Sequence, residues 1–255
     1  MPLDLITLPC LADNYAFLLK DRASPAMALV DAPEAAPVLA ALAERGGRLE
    51  EIWLTHHHAD HIQGVADLVA ATGARVTGAA ADAHRLPPLD RDVRPGETFS
   101  FAGERVEVLD APGHTLGHIA YALPGAGLVF TGDSLMAGGC GRLFEGSPAE
   151  MWGTLTRLAA LAPETLVCSG HEYTASNLAF AATLEPANPA LIFRIEAVAE
   201  ARRMGRPTVP SRLADELSTN PFLRADLPAL RDAVAMPDAP AAEVFAEIRA
   251  RKDRF

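Results

Sequence analysis

Cysteine and lysine are scarce in this 255-residue chain, and each shortage argues against a class of protein. The three cysteines, Cys10, Cys140 and Cys168, are odd in number and far apart, with no C-x-x-C. That speaks against a disulfide framework or a cysteine-based zinc ribbon and fits a reducing compartment. Lysine occurs only at Lys20 and Lys252, and the formal net charge is −11. A nucleic-acid partner is therefore not expected, since such binding needs a basic face to neutralise phosphates. No apolar run approaches the ~18 residues of a membrane span. The opening MPLDLITLPCLADNY has Asp4 where a signal peptide carries Lys or Arg. No G-x-S-x-G marks a serine hydrolase. What is present, 49% hydrophobic and 22% charged residues, is ordinary for a globular protein. The expectation is a cytoplasmic monomer with no membrane partner, built as one large domain with a smaller appendix.

The first two-thirds alternate short strands with helices. Leu3 to Leu8, Tyr15 to Lys20 and Met27 to Asp31 read as strands separated by turn residues. Glu34 to Glu44 places Val38, Leu39 and Leu42 at helical spacing before Gly46-Gly47. Glu51 to Leu54 reads as a buried strand, and Ile62, Val65, Ala66 and Val69 line a helix ending near Gly73. Val106 and Val108 alternate with charged neighbours, Ile119 to Leu123 and Gly127 to Thr131 flank a Pro124-Gly125 turn, and Leu166 to Cys168 reads as the last strand. Beyond it helical spacing takes over, which puts the boundary between residues 1–172 and a helical part, 173–255.

Chemistry concentrates in Thr55-His56-His57-His58-Ala59-Asp60-His61. Side-chain direction repeats every second residue in an extended segment, so His56 and His58 point the same way. Asp60 and His61 fall on the first turn of the following helix and address a second point. Three further candidates, His114, Asp133 and His171, each follow directly after a strand, where open sheets place their sites. Imidazoles with carboxylates suit zinc, iron or manganese rather than calcium. An adventitious histidine tract does not explain ligand types at four strand ends. His57 reads as a supporting residue, and His84 and His118 as ordinary surface or hydrogen-bonded histidines.

THHHADH, APGHT, TGDS and SGHEY resemble the metal-binding signatures of the metallo-β-lactamase superfamily. GCGRLFEG at 139–146, GHEYT at 170–174, NPFLR at 220–224 and RARKDRF at 249–255 are similar to the hydroxyacylglutathione hydrolase (glyoxalase II) family across nearly the whole chain. The resemblance implies an α+β fold, an αββα sandwich with a small C-terminal helical domain that binds glutathione. It implies two divalent metal ions, zinc foremost with iron or manganese possible alternatives. His56, His58 and His114 would hold one ion, Asp60, His61 and His171 the other, with Asp133 bridging. Arg142, Phe144, Tyr173, Arg249 and Lys252 would meet glutathione; Phe144 departs from the tyrosine of some members and cannot donate a hydrogen bond.

The reaction so implied is hydrolysis of an S-(2-hydroxyacyl)glutathione such as S-D-lactoylglutathione, the second step of methylglyoxal detoxification. Asp60 and Asp133 would serve catalysis, Asp60 by holding a proton of the attacking water. A thiol leaving group with a free pKa near 8.5 needs no strong general acid. The competing readings are another hydrolase on the same scaffold, such as a lactonase, and a metal-binding module without turnover.

Overall fold

In the computed structural model, residues 3–255 are described, and they divide into two compact units. The first comprises the residues up to Asp110 with Gly117–Gly132; the second comprises Ala111–Leu116 and Asp133–Phe255.

The first unit carries strands β1 (Leu3–Cys10), β2 (Asn14–Asp21) and β3 (Ala26–Val30), helix α1 (Ala35–Arg45) and strand β4 (Arg48–Trp53). Helices α2 (Ala59–Ile62) and α3 (Val65–Thr72) follow, then strands β5 (Arg75–Ala79), β6 (Arg91–Val93), β7 (Thr98–Phe101), β8 (Glu104–Asp110), β9 (Ile119–Leu123) and β10 (Leu128–Gly132). One sheet has the order β1-β2-β3-β4-β5-β6. It is antiparallel across its first three strands and parallel from β3 onward. Strands β10, β9, β8 and β7 pair antiparallel in that order.

Strand β2 shows why its sheet is covered on both sides. Ala16 and Leu18 lie in one apolar cluster with Val38 and Leu42 of α1 and Val65 and Leu68 of α3. On the opposite face Phe17 packs its ring 5.6 Å from that of Phe130 on β10. Alternation along a strand sends successive side chains to opposite faces, and here both faces are apolar. Trp53 anchors the inner layer against Phe99, Phe101 and Tyr121, at 5.2, 5.7 and 5.7 Å between rings. Its indole N–H donates to buried Glu51 at 2.8 Å. Helices α1 and α3 stop at Gly46 and Gly73, both left-handed, as their glycines lead one to expect.

The second unit contains β11 (Leu135–Met136), β12 (Gly139–Cys140), α4 (Pro148–Ala159), β13 (Leu166–Ser169), α5 (Thr174–Leu184) and α6 (Pro189–Arg203). It continues with β14 (Ser211–Arg212), α7 (Leu213–Thr219), α8 (Pro228–Ala233) and α9 (Ala241–Asp253). Helix α4 starts on a reciprocal cap between Ser147 and Glu150. Phe222 links the aromatic core, with its ring 6.1 Å from Phe180 and 5.8 Å from Phe245. Leu178 and Ala181 of α5 pack on Leu191 and Val198 of α6. The sequence predicts no strand after Cys168, and β14 corrects that: Ser211 and Arg212 pair with Val167 and Leu166. Two residues are too few to leave an alternating pattern.

Candidate metal centre

In the first unit the donors follow the end of β4. His58 precedes α2 in an extended conformation, and Asp60 and His61 lie within that helix. His56 Nε2 and His58 Nδ1 are 3.2 Å apart, while His57 turns the other way and places Nδ1 3.0 Å from Asp82. Buried Asp31 organises the loop: Oδ1 accepts the Thr55 N–H at 2.9 Å, and Oδ2 accepts the Thr55 hydroxyl and His61 Nδ1 at 2.8 Å each. Because the Thr55 hydroxyl donates to Asp31, it accepts from His56 Nδ1 at 3.0 Å. Asp31 sits directly after β3 at φ +57°, a conformation that aspartate tolerates better than most residues. Asn14 donates to both the carboxylate and the carbonyl of Asp60, at 3.1 and 3.0 Å.

In the second unit His114 Nδ1 donates to the Arg142 carbonyl at 2.8 Å. The Asp133 carboxylate is 3.5 Å from His114 Nε2 and 3.3 Å from His171 Nε2, so one buried anion faces two imidazoles. Glycine permits the close approach of the 141 segment: a Cβ on Gly141 would lie 1.9 Å from the Asp133 carbonyl.

The histidines and carboxylates able to hold a metal ion, among the described residues, are His56, His58, Asp60 and His61 in one unit and His114, Asp133 and His171 in the other. Their chemistry fits zinc, iron or manganese. His56, His61 and His114 each commit Nδ1–H to an oxygen, which makes Nε2 the lone-pair nitrogen, the usual outer arrangement of metal-ligating histidines. The 3.2 Å between His56 Nε2 and His58 Nδ1 is near the about 3.3 Å that separates two nitrogens on a tetrahedral zinc.

Around the second-unit donors, Phe144 is 64% exposed with its ring 5.3 Å from that of His114. Tyr173 lies flat on His171, 4.7 Å between rings and 7° between planes. The Arg142 side chain is exposed. Arg249 is only 5% exposed. Its guanidinium donates to the Cys140 carbonyl and to Asp253 at 2.9 Å each and covers the Phe222 ring at 5.0 Å. Lys252 donates to the carbonyl and hydroxyl of Ser176 at 3.1 Å each, with its ammonium over Phe180 and Phe255 at 5.5 and 5.0 Å. Partial burial, then the Arg249 and Arg142 charges, hold the Lys252 pKa below its ordinary 10.5. Burial pushes the Cys140 thiol up to about 11, which leaves no ready nucleophile there.

Sequence reasoning missed three contributors. Asp31 was visible only as a carboxylate ending a strand, and Thr55 as a polar residue before the histidines. His118, expected to be ordinary, is fully buried with its ring 4.8 Å from that of His56 and nearly parallel to it.

The metallo-beta-lactamase superfamily profile matches residues 21–171, so the fold and the donor set define a metallo-β-lactamase-fold protein. Solved structures with this fold include ETHE1 from Myxococcus xanthus, 26% identical with a TM-score of 0.65, covering 99% of this chain and 98% of that one. TTHA1623 in a di-iron-bound form is 31% identical with a TM-score of 0.57, covering 66% and 91%. The profile of the hydroxyacylglutathione hydrolase C-terminus matches residues 172–255. A hydroxyacylglutathione hydrolase of Cereibacter sphaeroides is 64% identical over 100% of both chains. The chain belongs to the hydroxyacylglutathione hydrolase family. No helix among the described residues is long and apolar enough to cross a membrane.

Proposed function

We propose that this chain hydrolyses S-(2-hydroxyacyl)glutathione, S-D-lactoylglutathione foremost, to glutathione and a 2-hydroxy acid. The observation that carries the reading is the cationic corner of the second unit. Lys252 is half-buried against the Phe180 and Phe255 rings, and partial burial, then the Arg249 and Arg142 charges, lower its pKa. An ammonium whose charge is disfavoured in this way gains from an incoming carboxylate, and glutathione carries two. Family membership supports the same substrate class. A lactone lacks those carboxylates and offers Lys252 no charged partner.

In this reading His56, His58 and His114 would hold one divalent ion and Asp60, His61 and His171 another, and Asp133 would serve both. Zinc is the first candidate; a di-iron-bound relative makes iron the next. When bound, the ions supply Lewis acidity and an acidified water. Asp60, steadied by Asn14, takes up the proton of the attacking water. Tyr173 and Phe144 present their exposed rings beside His171 and His114, where they pack on the substrate and limit its access to solvent. Arg142, Arg249 and Lys252 orient the glutathione portion, Arg249 chiefly by fixing the backbone ahead of Arg142. The sulfur leaves as thiolate without a dedicated acid. Residues 1–172 form the catalytic domain and 173–255 the glutathione-binding domain of a monomeric cytoplasmic enzyme that uses neither nucleic acid nor membrane.

The test compares S-D-lactoylglutathione with an acyl-homoserine lactone on the metal-loaded protein. Preference for the thioester by at least about a hundredfold in kcat/KM is expected. Preference for the lactone, or metal uptake without turnover of either, rejects the reading.

A further inference from the structure

The family-specific C-terminal segment grips the backbone of the short hairpin formed by β11 and β12. Five consecutive residues are held, each by a side chain from the helical part. Asn220 Nδ2 donates to the Met136 carbonyl at 3.2 Å and to the Gly139 carbonyl at 2.9 Å. Asn177 Nδ2 donates to the Ala137 carbonyl at 3.1 Å. The Gly138 N–H donates to Glu216 Oε2 at 2.7 Å, and Arg249 donates to the Cys140 carbonyl at 2.9 Å. Glu216 and Asn220 have no exposed surface, and they bond to each other at 3.1 Å. Glu216 also pairs with Arg194, which is fixed in turn by Thr219 at 2.7 Å.

Two-residue strands do not stand alone in water, so something outside the hairpin has to fix it. The buried peptide groups need partners that the ladder cannot supply, and these side chains supply them. The approach is close: a Cβ on Gly139 would fall 2.6 Å from Asn177 Nδ2, and Gly138 adopts φ +69°. Asp133 lies two residues before the hairpin. Arg142, whose carbonyl fixes the His114 ring, lies two residues after it. The spacing between Asp133 and that carbonyl is therefore set by the hairpin, and the hairpin by the grip.

We infer that Glu216, Asn220 and Asn177 are positioning residues for Asp133 and His114, so that the helical segment sets metal affinity as well as substrate binding. The inference rests on the metal reading proposed above. Its test is zinc affinity, measured on metal-free protein by competition with a chromophoric chelator, for Glu216→Gln and Asn177→Ala. Both variants are checked for native helical circular dichroism. Glu216→Gln is expected to weaken zinc binding about tenfold or more, the range for loss of an outer partner of a metal ligand. Asn177→Ala is expected to weaken it several-fold. In both, kcat falls while KM for the thioester stays near that of the unaltered chain. Folded variants that bind zinc as the unaltered chain does and lose only thermal stability overturn the inference. If Glu216→Gln does not fold, Asn177→Ala decides alone. An unaltered chain that binds zinc but leaves the thioester intact rejects the proposed substrate and leaves the affinity test standing; one that binds no zinc rejects both.

Discussion

The two units solve the same task, fixing imidazoles, in opposite ways. In the first, four donors fall within six residues, and one buried carboxylate, Asp31, steadies the loop through Thr55 and His61. In the second, three donors are spread from His114 to His171, and the His114 ring is fixed by a backbone carbonyl rather than by a side chain. Contiguous donors are aimed by local backbone geometry and need few anchors, here Asp31 for His61 and Asn14 for Asp60. Dispersed donors are aimed by how their loops are braced, which recruits residues far away in sequence such as Glu216 and Asn220.

That contrast can be broken by mutation. The largest effect belongs to Asp133→Ala, because the lost carboxylate faces both His114 and His171. Its kcat/KM for the thioester should fall more than about a hundredfold, beyond what loss of an outer partner gives. Retained activity would remove Asp133 from the centre. Next is Asp31→Asn, which takes away the acceptor of His61 Nδ1. Metal affinity should drop about 10- to 100-fold, read by chelator competition, with KM for the thioester unmoved; unchanged affinity would show that the loop aims its donors unaided.

The third prediction sharpens the role proposed for the second unit in substrate binding. Lys252→Ala should raise KM much more than it lowers kcat, whereas Arg249→Ala, which also releases the Cys140 carbonyl, should lower kcat as well as raise KM. The pH dependence has a definite sign. With its pKa held below 10.5, Lys252 loses its charge at lower pH than an ordinary lysine, so KM should begin to rise below that value. Lys252→Arg does not titrate in this range and should flatten that limb of the KM profile. A profile identical for Lys and Arg at this position would take Lys252 out of substrate binding. The smallest effect concerns Asn188, whose carboxamide caps α6 through the Ala190 and Leu191 N–H groups. Asn188→Ala should cost about 1 kcal/mol of stability, a few degrees in Tm by calorimetry, with kcat unchanged at 25 °C.

Much of the first unit was legible because its strands and helices carry periodic apolar patterns and its donors are contiguous. Strands β1 to β4, helix α1 and the end of α3 follow the pattern of Leu18, Val38, Leu42 and Val65 and the stops at Gly46 and Gly73, but the single helix expected from Ile62 breaks between α2 and α3, where Ala66 is exposed and Leu68 is buried instead. Strands β5 to β7 were not read: Arg75–Ala79 is interrupted by Gly78, and Arg91–Val93 is only three residues long. Among the donors, the ligand types at 114, 133 and 171 could be read, since each follows a strand. The bracing could not. Asp31, Thr55, Asn177 and Glu216 act through tertiary hydrogen bonds that leave no period and no motif in the sequence.

The central claim is that the two sets of donors serve a pair of ions, and counting the ions tests it most directly. Metal-free protein titrated with zinc should take up two equivalents per chain, and Asp133→Ala no more than one. A plateau at a single equivalent in the unaltered chain would contradict the account.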